Sequence, residues 1–171
     1  MKVVKKIADI ITNILLTIVI IAIFFALYGL FQLKIQNKTY INYFGYTFFE
    51  VASGSMSPTI NTYDLVIVKI NEDIKENDII TFYKDNSFIT HRIIEYKDDE
   101  HILTKGDANN TTDKEISKDI IIGKVVYTIK NFGIIKRTLV NSKVVISIFI
   151  TVILFSLAFS ITDKRELKNE K

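Results

Sequence analysis

With 171 residues, the chain has room for one small domain plus membrane segments. It is 49% hydrophobic yet 24% charged, a mixture that a soluble domain seldom shows, so the apolar residues are expected in blocks. The net charge of +3, carried by dispersed lysines, gives no basic face for nucleic acid. The lack of cysteine excludes disulfides and thiolate metal sites, and two histidines argue against a histidine-rich metal centre.

In chain order, Lys2, Lys5 and Lys6 come first, and Ile14 to Phe31 then runs without a charge. At ~1.5 Å per residue that run covers ~27 Å, close to the ~30 Å hydrocarbon core of a bilayer. It ends in Tyr28-Gly29-Leu30-Phe31-Gln32, with none of the small-x-small pattern of a cleaved leader. Residues 1–32 are therefore read as a cytoplasmic N-terminus and a retained first span. A second uncharged block, Val144 to Thr162, is read as a second span, and residues 163–171 as a cytoplasmic tail. Two spans place both termini on one side. The N-terminal lysines and Lys164, Arg165, Lys168 and Lys171 favour the cytoplasm, while Lys136, Arg137 and Lys143 argue the other way.

Residues 33–143 are then an extracytoplasmic domain. Short apolar runs rich in β-branched residues recur at Leu65–Val68, Ile79–Tyr83, Phe88–Ile94, Ile102–Thr104 and Ile120–Tyr127. Polar turns such as Lys84-Asp85-Asn86 and Lys97–Glu100 separate them, the pattern of a mainly β domain. The aromatic segment Tyr40, Tyr43, Phe44, Tyr46, Phe48 and Phe49 reads first as an ordinary strand with its core side chains. The alternative is an aromatic belt at the membrane interface.

Chemistry-bearing residues cluster at three places in order: Ser53-Gly54-Ser55, His91, and Gly106-Asp107 with Asp113. A serine needs a base that titrates near neutrality, and the base needs an orienting partner. Gly54 permits a positive φ and Pro58 fixes its own, so Val51–Pro58 reads as a turn that can present a hydroxyl. A histidine inside the apolar run Ile89–Ile94 also suits a purely structural hydrogen-bonded residue, and Asp107 a simple turn residue. His101, beside Asp98–Glu100, reads as a solvent-facing hairpin residue.

Ser53-Gly54-Ser55-Met56-Ser57-Pro58, Thr90-His91-Arg92, and Lys105-Gly106-Asp107-Ala108-Asn109 with Asp113 together resemble the conserved boxes of type I signal peptidases. Tyr63–Val68, Asp78–Phe82 and Ile122–Tyr127 extend the likeness over about residues 50–130, in matching order. A histidine at position 91, where most bacterial members carry lysine, marks the endoplasmic-reticulum, archaeal and SipW-like branch. The resemblance implies a small signal-peptidase-like β domain between two transmembrane helices. It implies a membrane-bound serine endopeptidase that removes signal peptides from secreted preproteins after small residues. Ser55 would be nucleophile and His91 general base, with Asp107 or Asp113 orienting His91 and Asp107 preferred. The backbone N–H of Ser55 and the Ser53 hydroxyl would be oxyanion donors. No metal or cofactor is implied. The partners would be preproteins, the lipid bilayer and a nearby secretion translocon. Tyr63 and Asn77 stand where many relatives have glycine; Asn77 tolerates positive φ, whereas Tyr63 implies a different turn. Lys130-Asn131 replaces a frequent Ile-Pro. The rival readings are a regulatory, self-cleaving membrane protein of the related repressor-type peptidase fold and a non-catalytic membrane-anchored β domain. The first would use lysine as base and carry a DNA-binding domain; the second would have a decayed site.

Overall fold

The computed structural model describes residues 2–144 and, beyond them, residues 146, 147, 150, 151 and 154. A long helix, α1 (Lys2–Lys34), leads the chain. Its stretch Asp9–Lys34 is long and apolar enough to cross a membrane, with a mean hydropathy of 2.9. Large apolar side chains such as Ile14, Leu16, Phe24 and Leu27 are exposed among the described residues. Among the described residues this is the one helix that meets both conditions; the second expected span, Val144 to Thr162, lies largely outside them.

The C-terminal end of α1 is fastened to the segment Ile41–Tyr43. Gln32 is buried, donates from Nε2 to the Asn42 carbonyl at 2.9 Å, and accepts the Asn42 N–H at 3.0 Å. The Tyr43 hydroxyl donates to the Phe25 carbonyl at 3.1 Å. Gly29 makes that approach feasible, because a Cβ there would stand 2.8 Å from the Tyr43 hydroxyl and 2.9 Å from Ile41 Cδ1.

The domain is one seven-stranded antiparallel sheet. Its strands are β1 (Tyr46–Glu50), β2 (Leu65–Ile70), β3 (Ile79–Lys84), β4 (Ser87–Tyr96), β5 (His101–Lys105), β6 (Ile116–Ser117) and β7 (Ile121–Ile129). Their order across the sheet is β1-β2-β7-β3-β4-β5-β6. Every expected strand is present, and the sheet bears out the mainly β reading. The β3–β4 hairpin closes through Asp85 (φ 50) and Asn86 (φ 58), residue types that tolerate the left-handed region which a two-residue hairpin demands.

The aromatic segment bears out its strand-and-core reading in part. Tyr40 and Phe49 pack on the core, whereas Phe44 is exposed at a tight turn (Phe44 φ 55, Gly45 φ 89), its ring 6.4 Å from that of Phe25.

Strand alternation explains the two buried clusters. Along β3, Ile79 and Tyr83 pack against Met56, Ile60, Val66, Val68 and Ile122. Ile80 and Phe82 instead join Ile93, Ile102 and Ile116. Strands β2 and β7 approach so closely at Gly123 that a Cβ there would lie 2.0 Å from the Lys69 carbonyl oxygen.

Helix α2 (Phe132–Val140) is not expected from the sequence pattern. It starts after Asn131 (φ 58) and is held by tertiary contacts. Buried Asp64 accepts the Asn131 N–H and the Asn61 N–H, each at 2.8 Å, tying the start of α2 to the serine-containing loop. Arg137 lies 4.1 Å over the Tyr63 ring, and Lys136 pairs with Glu50.

Candidate active site

Ser55 sits in the turn between β1 and β2. Both flanks are anchored, since the Val51 N–H donates to Asp64 O and the Tyr63 N–H to Val51 O, each at 2.8 Å. Met56 and Ile60 sink into the first cluster, so the residue beside Ser55 is held by packing. The Ser57–Pro58 peptide is cis, and the Ser57 hydroxyl donates to Asn61 Oδ1 at 2.5 Å. The turn does not use the freedom expected of Gly54. Gly45 is the glycine with positive φ among the described residues, and a Cβ on Gly54 would meet only Thr62 Oγ1, at 4.0 Å.

His91 lies on β4 opposite Ile80, buried, with its ring edge-on to Phe82. Its Nε2 is 3.2 Å from Ser55 Oγ, and its Nδ1 is 2.5 Å from Asp113 Oδ2. An ionised carboxylate only accepts, so Nδ1 carries the proton and Nε2 is left to accept from the serine. Asp113 Oδ2 also accepts the Thr104 hydroxyl at 2.7 Å, and the Asp113 N–H donates to Thr104 O at 2.8 Å.

The preference for Asp107 as the partner of His91 is corrected by this geometry. Arg92 grips Asp107 with two parallel bonds, Nε to Oδ1 at 2.9 Å and Nη2 to Oδ2 at 2.7 Å. Thr59 donates to Oδ2 at 2.5 Å. His91 and Arg92 are consecutive on a strand and so face opposite sides, which sends the two aspartates to different partners. The Arg92 bonds hold the Asp107 carboxyl below the usual carboxylate range, against a smaller opposing effect of burial. The same bonds raise the Arg92 guanidinium, whose Nη1 also donates to Asn77 O at 2.8 Å. Asp107 thus joins the serine turn, β4 and the loop before β3.

Ser53 Oγ is 3.4 Å from Ser55 Oγ, beside the nucleophile position but at the long limit of a hydrogen bond. His101 is at the start of β5, half exposed, with Nδ1 3.0 Å from Asp98, away from the site as expected. Thr59 and Thr104 belong to the site but do not stand out in the sequence. The signal for Thr104 is its place on the inward face of a strand leading into Lys105-Gly106-Asp107.

Ser55 and His91 border a cleft of about 740 Å³ whose walls include Ser53, Met56, Ile60 and Asn109. Phe49 and Phe88, 4.5 Å apart between ring centroids, also line it. A hydroxyl, imidazole and carboxylate in series can abstract the serine proton, stabilise the resulting imidazolium and return the proton to a leaving group. Among the described residues no group of three or more His, Asp or Glu side chains is arranged to hold a metal ion.

Over residues 29–126 the chain matches the model of the family described as Peptidase S24-like. It is 48% identical over 77 residues to signal peptidase I W of Bacillus subtilis (strain 168), a stretch covering 41% of this chain and 40% of that protein. The likeness to type I signal peptidases drawn from the motifs is borne out by this relative, although the chain spans only about 40% of the relative's length. With more than half its residues under the family model, the chain belongs to the Peptidase S24-like family.

Proposed function

We propose that this protein is a membrane-anchored serine endopeptidase that removes signal peptides from secreted preproteins, cutting after small residues. The observation that carries the reading is the series Ser55 Oγ, His91 and Asp113, bonded at 3.2 and 2.5 Å at the edge of an open cleft. Ser55 Oγ attacks the scissile carbonyl carbon while its proton passes to His91 Nε2, and Asp113 steadies the imidazolium. As the C–N bond breaks, His91 returns the proton to the leaving amine. Water activated by the same imidazole then cleaves the acyl-enzyme ester and frees Ser55. The Ser55 N–H and the Ser53 hydroxyl would be the donors to the developing oxyanion; one such donor is typically worth about 2.7–4 kcal/mol. Asp107 acts structurally, holding the loop that carries Asp113 against the serine turn.

The apolar helix α1 supports an anchor in the membrane, where signal peptides themselves lie, and confinement to one layer raises effective concentration. In this reading Val144–Thr162 is a second span, both termini are cytoplasmic and the β domain lies outside, near the secretion translocon.

The test is cleavage of a preprotein with an Ala-x-Ala site by the full chain in proteoliposomes. Ser55→Ala and His91→Ala are each expected to lower kcat by ~10⁴-fold or more, the scale on which loss of a triad member falls. Wild-type processing by either variant, correctly inserted, would sink the reading. Activity should also decline on the acid side as the imidazole is protonated; a profile flat to about pH 5 would exclude an imidazole base.

A further inference from the structure

We propose that Thr104 is a positioning residue for His91, acting through Asp113; the inference rests on the peptidase reading and deepens it. Asp113 is poorly sequestered for an orienting group: its side chain is 26% exposed, against 10% for His91. A second cavity, of about 210 Å³, opens behind it and is lined by both Asp113 and His91. With His91 as its only partner, such a carboxylate could turn and offer either oxygen.

Thr104 removes that freedom. It is fully buried on β5, so its hydroxyl has no water to bond. Among the described residues its one side-chain hydrogen bond goes to Asp113 Oδ2, the same oxygen that meets His91 Nδ1. Its carbonyl accepts the Asp113 N–H, so main chain and side chain of Asp113 are both fixed to one strand residue. Keeping Oδ2 on Nδ1 lets the carboxylate stabilise an imidazolium, so a carboxylate free to turn holds the ring's second proton less firmly. The other charged groups near the pair are Asp107 in the same loop, Lys114 beside Asp113, and Lys84 and Asp85 on the β3–β4 hairpin. None of them makes a hydrogen bond to His91 or Asp113 among the described residues, and none is altered by a change at position 104.

Thr104→Val keeps the shape and deletes the hydroxyl. In the full chain in nanodiscs, kcat for preprotein cleavage should fall about tenfold with KM little changed, the scale of one hydrogen bond to a charged group. The acid limb of the pH profile should move downward, and Thr104→Ser should restore both. The His91 ring titration, followed by NMR without substrate, should move downward in Thr104→Val and return in Thr104→Ser. An unmoved His91 titration in a folded Thr104→Val protein overturns the proposal whatever the activity, and so does a Thr104→Ser variant that resembles Thr104→Val. Failure of the wild-type chain to cleave any preprotein, with the titration shift present, would count against the peptidase reading and leave the positioning role standing.

Discussion

Asp107 and Asp113 leave the same loop and meet partners of opposite character. Under the proposed mechanism, Asp113→Asn keeps the side chain's shape and removes the charge that would orient and stabilise the imidazolium, so kcat should drop by ~10²–10⁴-fold with the melting temperature almost unmoved. Asp107→Asn should act chiefly on stability. It leaves the partly buried Arg92 guanidinium without its bidentate partner, a loss of about 1–3 kcal/mol in stability, with activity reduced because the serine turn loosens. Thermal unfolding and preprotein cleavage on the same two proteins separate the roles. The motif contains both aspartates, and spacing does not choose between them. The choice depends on Arg92 capturing one of them, which requires knowing that His91 and Arg92 face opposite ways and that Arg92 pairs with Lys105, two residues before Asp107. His91 is legible because the chain has only two histidines, and Ser55 because it stands within Ser53-Gly54-Ser55-Met56-Ser57-Pro58. Thr104 is not, because a buried threonine on a strand looks like any other core residue until its hydroxyl's partner is known.

At the scale of elements, the loop from Gly106 to Asp113 carries the most. Its Ala108 N–H donates to Ser55 O at 2.8 Å, and a Cβ on Gly106 would stand 2.6 Å from that same oxygen. Gly106→Ala must therefore push the loop off the serine turn. We expect kcat to fall by at least about 100-fold, since small displacements of reacting groups cost on this scale. Unfolding by denaturant should shift far less, because the loop is not part of either core. Wild-type cleavage by this variant would mean that the loop and turn move independently.

The strands are legible from β-branched apolar runs broken by polar turns. Strand β6 and helix α2 are not, for different reasons. Two residues of strand give no periodicity to read. Helix α2 is short, contains Gly133, and turns Ile134, Ile135 and Leu139 outward, so it lacks the usual pattern of an apolar face directed inward. What holds it is Lys136 on Glu50 and Arg137 over Tyr63, contacts between residues far apart in sequence. Tyr63 itself holds φ 73 and Asn77 φ 71, so the tyrosine occupies the left-handed conformation instead of altering the turn's sense. Its ring becomes the platform for Arg137.

For the whole molecule, two ion pairs contribute to the response to acid. Asp107 is held low by Arg92. Asp78 is pushed up by burial, but the Lys124 ammonium at 2.8 Å and the Lys75 N–H outweigh that and leave it lowered. A carboxylate whose pKa is lower folded than unfolded lends stability that is complete above the unfolded value and fades as pH falls toward the folded one. Denaturant midpoints should therefore hold from neutrality down to about pH 4 and then decline, with the decline shallower in Asp107→Asn. A midpoint independent of pH below that point would show that these pairs contribute nothing. The apolar anchor is legible from composition alone, since a charge-free run of membrane length needs no tertiary context.

The clamp between Gln32 and Asn42, with Tyr43 bonded back onto Phe25, has a mechanical consequence. A flexible tether would let the β domain swing freely above its anchor. Two reciprocal side-chain bonds and a third further down the helix instead make the end of α1 and the first residues of the domain one rigid piece. Set in a bilayer, such a helix is a lever arm. Whatever tilts it, including a change in lipid thickness, swings the mouth of the cleft through the same angle. In the proposed reaction, the height at which Ser55 would meet a peptide bond is then set by the membrane as much as by the protein.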